Sequence, residues 1–282
     1  MSSLLPMQKE QVLEKVRQAR ELIVRMICRG GGGHLGGALS CLDLMAVLYF
    51  HILRNDPNKP NWDERDRFIL SAGHKCLALY AMLALRGYFD ARELDTYGSM
   101  DCAFPGHPDR RKLVGVEANT GSLGHGLAIG GGMALAAKRD ALAWRVFVLL
   151  GDGEITEGTV WESAAAASHY ELDNLVAIVD KNALQIQGAT REVMNMDPLA
   201  EKWRSFGWST IEVNGHDLDA IYDTLGRLPR EQGRPTAVIA HTTKGKGLEF
   251  AEGNYAYHYW KPSEQECRKL LAQLQQREES HE

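Results

Sequence analysis

The 282 residues are 44% hydrophobic and 24% charged, enough for a sizeable core and too apolar for large-scale disorder. A formal net charge of −5 argues against a nucleic-acid partner held through its backbone, which needs a basic face. No apolar run approaches the length of a membrane span, and residues 1–21 become charged too early for a signal peptide.

Val12, Val16, Ala19, Ile23, Met26 and Ile27 recur at helical spacing between charged residues. They predict an amphipathic opening helix stopped by the glycines at 30–33. A second helix is expected from about Ser40, which can cap it, with residues 42–53 as its apolar content. Arg67-Phe68-Ile69-Leu70 predicts a short buried strand, and residues 76–85 a helix. The run 145–150 is a stronger strand, rich in β-branched and aromatic residues and stopped by Gly151. A helix over 160–168 and a strand over 175–179 complete a strand–helix–strand unit, which implies parallel pairing.

Further strands over 210–213 and 236–240 flank a helix over 217–228, and residues 263–282 predict an exposed helix with Leu270, Leu271 and Leu274 on one side. No internal repeat or low-complexity linker divides the chain. One doubly wound α/β domain over 1–282 is therefore expected, with a mainly parallel sheet, helices on both faces and helical extensions at both ends. Five cysteines, Cys28, Cys41, Cys76, Cys102 and Cys267, are scattered without a C-x-x-C pair. Reduced thiols in a cytoplasmic compartment are the expectation.

Gly151-Asp152-Gly153 falls at the carboxyl end of the strongest strand, the edge where open α/β sheets bind ligands. Glycines there let the backbone approach a phosphate, and its N–H groups donate to phosphate oxygens. Asp152 makes sense beside a phosphate if a divalent cation bridges the two, and Mg²⁺ suits oxygen ligands shared with phosphates. Asn182 follows the next parallel strand, thirty residues on, and emerges at the same edge. Its side-chain oxygen supplies a second ligand, and a carbonyl from Ala183-Leu184 a third. A lone Gly-Asp-Gly is commonly just a turn; the strand before it and the Asn after the next strand favour a ligand site. Thr156 occupies the place of the third glycine of a dinucleotide fingerprint, and neither a P-loop nor H-E-x-x-H is present.

Gly-Asp-Gly followed about thirty residues later by Asn resembles the thiamine-diphosphate enzymes. Several stretches look specifically like transketolase: Gly32-Gly33-His34-Leu35-Gly36-Gly37, Leu70-Ser71-Ala72-Gly73-His74, Pro105-Gly106-His107-Pro108, Thr120-Gly121-Ser122-Leu123-Gly124 and Thr242-Thr243-Lys244-Gly245-Lys246-Gly247. They come in the family's order and span residues 8–262. The resemblance implies a thiamine-diphosphate-binding fold in which Asp152, Asn182 and the backbone of Leu184 bind magnesium. Gly153 and His74 would contact the diphosphate, Gly121 would lie near the pyrimidine amino group, and Leu123 and Ile186 would pack around the thiazolium. His34, His107 and His258 would point at sugar hydroxyls. Glu157 and Glu162 look like the acidic residues that connect paired active sites across a subunit interface.

An isolated histidine is usually a surface residue or a satisfied partner of carbonyls, the reading given to His51, His125, His169, His216, His241 and His281. Glycine neighbours at His34, His74 and His107 permit close ligand approach, and imidazole can shuttle protons near neutral pH. Two departures from the family stand out. Leu35 replaces a proline, which would alter the loop's rigidity. Tyr259 replaces the glycine after His258, where it would narrow the sugar channel. Lys244 and Lys246 suit either phosphate neutralisation or a solvated loop.

In the family, the glutamate opposite the pyrimidine ring, and much of the sugar-phosphate binding, lie on a second domain. The resemblance therefore implies a separate C-terminal transketolase subunit carrying the pyrimidine domain, in an α2β2 heterotetramer acting on sugar phosphates. The alternatives are the α chain of a 2-oxo acid dehydrogenase, a deoxyxylulose phosphate synthase-like protein, or a non-catalytic partner-binding domain.

Overall fold

The computed structural model describes residues 6–279. The first five residues, part of the segment read as too charged for a leader, and residues 280–282, read as the end of the last helix, lie outside it. Five strands form one parallel sheet: β1 (Arg67–Leu70), β2 (Val146–Gly151), β3 (Leu175–Lys181), β4 (Ser209–Asn214) and β5 (Thr236–His241), in the spatial order β1-β2-β3-β5-β4. The helices are α1 (Lys9–Gly30), α2 (Leu35–Ser40), α3 (Leu42–Val47), α4 (Cys76–Arg86), α5 (His125–Arg139), α6 (Gly158–His169), α7 (Thr190–Val193), α8 (Leu199–Ser205), α9 (Leu218–Gly226) and α10 (Glu264–Glu279).

The continuous apolar runs that predicted buried strands are divided between two cores by the pleat. Phe68, Leu70, Phe147, Leu149, Ile178 and Val238 pack on the face covered by α1, α3, α4 and α9. Ile69, Val148, Leu150, Ala177, Val179 and Ile239 pack on the face covered by α5, α6 and α8. This is the doubly wound α/β architecture, and it brings the carboxyl ends of β1, β2, β3 and β5 to one edge. Among the described residues no helix is long and apolar enough to cross a membrane.

The opening helix begins at a capping box between Gln8 and Gln11 and ends on Gly31, whose left-handed φ of 71° turns the chain toward the site. The helix expected from Ser40 is broken instead. Ser40 closes α2, and its hydroxyl donates inward, to the Gly37 carbonyl and the Asp180 carboxylate, rather than capping. After α3 the chain makes a single π-helical turn, Leu48–Ile52.

Helices α2, α5, α7 and α8 had no clear signature in the sequence. Helix α5 is glycine-rich, and glycine weakens a helix. Its glycines serve contact: a Cβ on Gly126 would stand 2.4 Å from Ser71, and one on Gly130 2.5 Å from Val148. Helix α8 is short and buries Trp203. The C-terminal helix is less exposed than its sequence suggests, because Leu270 joins the core beneath α1.

The cysteine expectation is corrected. Cys28 in α1 and Cys267 in α10 form a disulfide, with Cα atoms 5.7 Å apart, while Cys41, Cys76 and Cys102 are free. A pair separated by 239 residues leaves no local spacing to read.

Candidate functional site

The turn after β2 and the turn after β3 are knitted together by Asp152. One carboxylate oxygen accepts the Ala183 N–H at 2.6 Å and the other accepts the Gly153 N–H at 2.9 Å. Ala183 holds a left-handed φ of 62°, and the Asn182 side-chain oxygen accepts the Leu184 N–H at 3.2 Å. Asp152 is buried, and burial together with the nearby Asp180 charge pushes its carboxyl up to about 6, with Lys75 opposing. Carboxylate, amide oxygen and the Leu184 carbonyl make an all-oxygen donor set of the kind hard cations take. The donors therefore fit Mg²⁺.

Beneath this turn lies a polar base that no motif signalled. Lys75 and Asp180 form a fully buried ion pair at 2.5 Å. Asp180 also accepts from Ser40 at 2.5 Å, from Thr242 and from the Asn182 amide. Burial works against its charge, but Lys75 and these donors outweigh it and hold the carboxyl below its usual range. Glu154 is a second buried carboxylate, accepting the Gly124 and Gly151 N–H groups and the Ser71 hydroxyl. It thereby joins the ends of β1 and β2 to the start of α5. The available signal was an ionisable residue at the end of a buried strand, which is retained only when paired.

Four imidazoles stand above the turn. The His34 ring lies 5.2 Å from His258, 5.3 Å from His74 and 6.5 Å from His107. Burial, then the neighbouring imidazoles and lysines, pushes His34 and His258 down to about 4, and His74 further. These three are neutral at physiological pH, able to donate from one nitrogen and accept at the other. Lys244, buried with its Nζ 3.1 Å from both the Leu184 carbonyl and His258 Nδ1, joins the histidines to the turn. Burial and the Lys75 charge lower it to about 8. Since the ammonium donates to Nδ1, the His258 proton sits on Nε2.

All the residues singled out from sequence as ligands line one cavity of about 290 Å³: His34, His74, His107, Gly121, Leu123, Asp152, Gly153, Asn182, Leu184, Ile186 and His258. Lys75, Glu154, Gln185 and Lys244 join them. Gly121, at φ 142°, packs against the His107 ring, where a Cβ would come within 3.0 Å. Ile186 is 67% exposed on the rim.

Lys244 belongs to the site, whereas Lys246 pairs with Glu252 at the surface. Glu157 and Glu162 are exposed and do not line the cavity. Leu35 is the first residue of α2, where proline is equally at home, and its side chain is buried. His51, His125, His216 and His241 each bond a neighbour, His169 meets Tyr170 edge-on, and His281 lies outside the described residues.

The family model "Transketolase, thiamine diphosphate binding domain" matches residues 11–279. The chain is 40% identical over 271 residues to one of the subunits of apulose-4-phosphate transketolase from Phocaeicola vulgatus, covering 96% of each. It is 42% identical over 269 residues to 6-deoxy-6-sulfo-D-fructose transketolase subunit SqwG of a Clostridium species, covering 94% of this chain and 98% of that one. Among solved structures, transketolase from Leishmania mexicana superposes with a TM-score of 0.87 at 28% identity, over 93% of this chain but only 41% of its own.

Proposed function

The chain belongs to the transketolase family, whose thiamine diphosphate binding domain it carries, and on that basis we propose that it is the cofactor-binding subunit of a two-chain transketolase. It spans nearly the full length of relatives named as subunits, yet about two fifths of the solved transketolase. A second chain carrying the pyrimidine domain would complete the site, in an α2β2 assembly. The reaction is transfer of a two-carbon ketol unit between phosphorylated sugars, in the cytoplasm where such sugars are held.

The reading is carried by one juxtaposition: an oxygen-only donor set of Asp152, Asn182 and Leu184 beneath four clustered imidazoles. Asp152, Asn182 and the Leu184 carbonyl would hold Mg²⁺, with Gly153 and His74 against the diphosphate. Gly121, Leu123 and Ile186 would line the ring-binding wall. Bound thiamine diphosphate supplies the electron sink for cleaving a ketose carbon–carbon bond. His34, His107 and His258 orient the sugar hydroxyls, and His258 presents its Nε2 proton to them. Glu157 and Glu162, on the outer surface, are available to a second copy.

The test is reconstitution. Mixed with its pyrimidine-domain partner, thiamine diphosphate and Mg²⁺, the chain is expected to form a transketolase product from a ketose phosphate and an aldose. Robust turnover by the isolated chain would overturn the two-chain reading.

A further inference from the structure

We propose that the Cys28–Cys267 bridge is a thiol–disulfide exchange site for dithiols, and that its redox state sets how His34 and His258 face one another. The consequence for sugar binding rests on the role given above to these two histidines; the exchange itself does not.

Two segments run from the bridge to the site. One leaves Cys28 through the end of α1 and reaches Gly33 and His34. The other runs back from Cys267, in the opening turn of α10, to Trp260 and His258. Between bridge and site they are pinned once more: the Gly33 N–H donates to the Trp260 carbonyl at 3.0 Å, and the Trp260 N–H to the Gly33 carbonyl at 2.9 Å. Just beyond this pin, the two rings stand 5.2 Å apart. Disulfide and hydrogen bonds thus hold the same two segments together. Opening the disulfide removes the covalent hold and leaves alignment of the rings to the hydrogen-bonded pair.

The bridge is open to a reagent. Both cysteines are partly exposed and line a cleft of about 590 Å³. Arg25, Arg29 and Arg268 line the same cleft with Glu21 and Glu264; Arg25 is held by Asp95 at 2.7 Å and Arg268 lies 3.9 Å from Glu264, and guanidinium groups near a sulfur stabilise a departing thiolate. The thiols of Cys41 and Cys76 are buried and pushed up to about 12 by that burial, so they do not compete. In a compartment that holds phosphorylated sugars the thiol pool is reducing, and disulfides there are mostly transient or redox-sensing.

The chemistry balances without further components. A dithiol's thiolate attacks one sulfur, forming a mixed disulfide and expelling the other cysteine as thiolate. The reagent's second thiol then displaces the first cysteine. The protein disulfide gains two electrons, the reagent closes to its own disulfide, and two protons pass to Cys28 and Cys267.

The experiment treats the full chain with dithiothreitol under native conditions, counts accessible thiols with an aromatic disulfide reagent and follows imidazole resonances by NMR. Two additional accessible thiols are expected, with an unchanged far-ultraviolet spectrum. The His34 and His258 signals should move while those of His169 and His241 stay, and reoxidation should restore them. In the complete enzyme, reduction is expected to raise KM for the ketose about tenfold with little change in kcat. The Cys28→Ser, Cys267→Ser variant should resemble the reduced chain and ignore dithiothreitol; should it fail to fold, the reduced natural chain carries the same test. Free Cys28 and Cys267 in air-equilibrated protein, resistance to excess dithiothreitol, or unmoved His34 and His258 signals after reduction would each overturn the proposal. Because thiol count and resonances need no turnover, loss of this inference is distinguishable from loss of the transketolase assignment.

Discussion

The Lys75 ammonium lies 2.5 Å from the Asp180 carboxylate, and neither side chain is more than 2% exposed. Lys75 immediately follows His74, and Asp180 stands two residues before Asn182. The pair therefore supports a proposed diphosphate contact on one side and a proposed metal ligand on the other. Asp180 repels the Asp152 charge while Lys75 attracts it, so the pair also sets the charge balance in which Asp152 sits.

Lys75→Met is expected to leave Asp180 buried and uncompensated, at a cost of about 3–5 kcal/mol. Urea unfolding should show a lower midpoint with an unchanged slope. Adding Asp180→Asn removes the stranded charge and should recover a substantial part of that loss. A single variant as stable as the natural chain would show that Ser40, Thr242 and Asn182 satisfy the buried Asp180 charge without Lys75.

Asp152→Ala is expected to weaken magnesium-dependent thiamine diphosphate binding by roughly a hundredfold or more, since removing even an indirect support of a metal ligand costs about 10–100-fold. Without cofactor, the variant should unfold somewhat more easily, because the Ala183 and Gly153 N–H groups lose the acceptor that joins the two turns, an effect offset in part by removal of a carboxylate that burial and Asp180 both disfavour. Chelating Mg²⁺ should reproduce the binding loss in the natural chain. Calorimetric titration checks both, and unchanged affinity in the variant would remove Asp152 from the metal site.

What sequence made legible here is what short spacing encodes. The strands announced themselves because a parallel sheet covered on both faces needs uninterrupted apolar runs. Glycine-flanked histidines announced the cavity because close approach needs glycine at particular positions, as Gly121 shows against His107. Glu154 and the Lys75–Asp180 pair did not, because each draws partners from distant strands and loops. Helix α5 was hidden by the glycines that let it lie close to Ser71 and Val148. Ser40 misled for a related reason: a good capping residue was drawn into the buried Asp180 cluster instead.

Asp66 predicts the acid limb of the stability curve. Its side chain is fully buried, 2.8 Å from Arg145 and 3.0 Å from Arg54. Burial disfavours its charge, but the two guanidinium groups outweigh that and hold the carboxyl below its ordinary value. A depressed carboxyl stabilises the fold above its unfolded pKa, near 4, and that stability drains away as pH falls through the folded value. Urea unfolding between pH 6 and pH 3 should show stability declining below about pH 4, with Asp180 adding in the same direction. Asp66→Asn should be less stable at pH 6 and lose less on acidification; an equally steep acid limb would exclude Asp66 as a source.

Tyr259 is the departure from the family that touches the proposed sugar site most directly. Its ring meets His34 edge-on at 4.9 Å, Lys261 lies 5.9 Å from the ring centroid, and the side chain is 46% exposed. Tyr259 does not line the cavity itself but packs against His34, which does; a half-exposed aromatic there acts on substrates through shape, and a steric wall of this kind is worth about 1–3 kcal/mol. With the reconstituted pair, Tyr259→Gly is expected to shift relative kcat/KM toward bulkier ketose donors by roughly 10–100-fold. Tyr259→Phe keeps the ring and should keep the natural ratio, which separates loss of the wall from loss of the hydroxyl. The glycine variant also frees a segment adjoining the Gly33–Trp260 pin. A merely loosened loop would lower activity toward all donors alike, so the change in the ratio, rather than in the rate, decides whether Tyr259 selects the sugar.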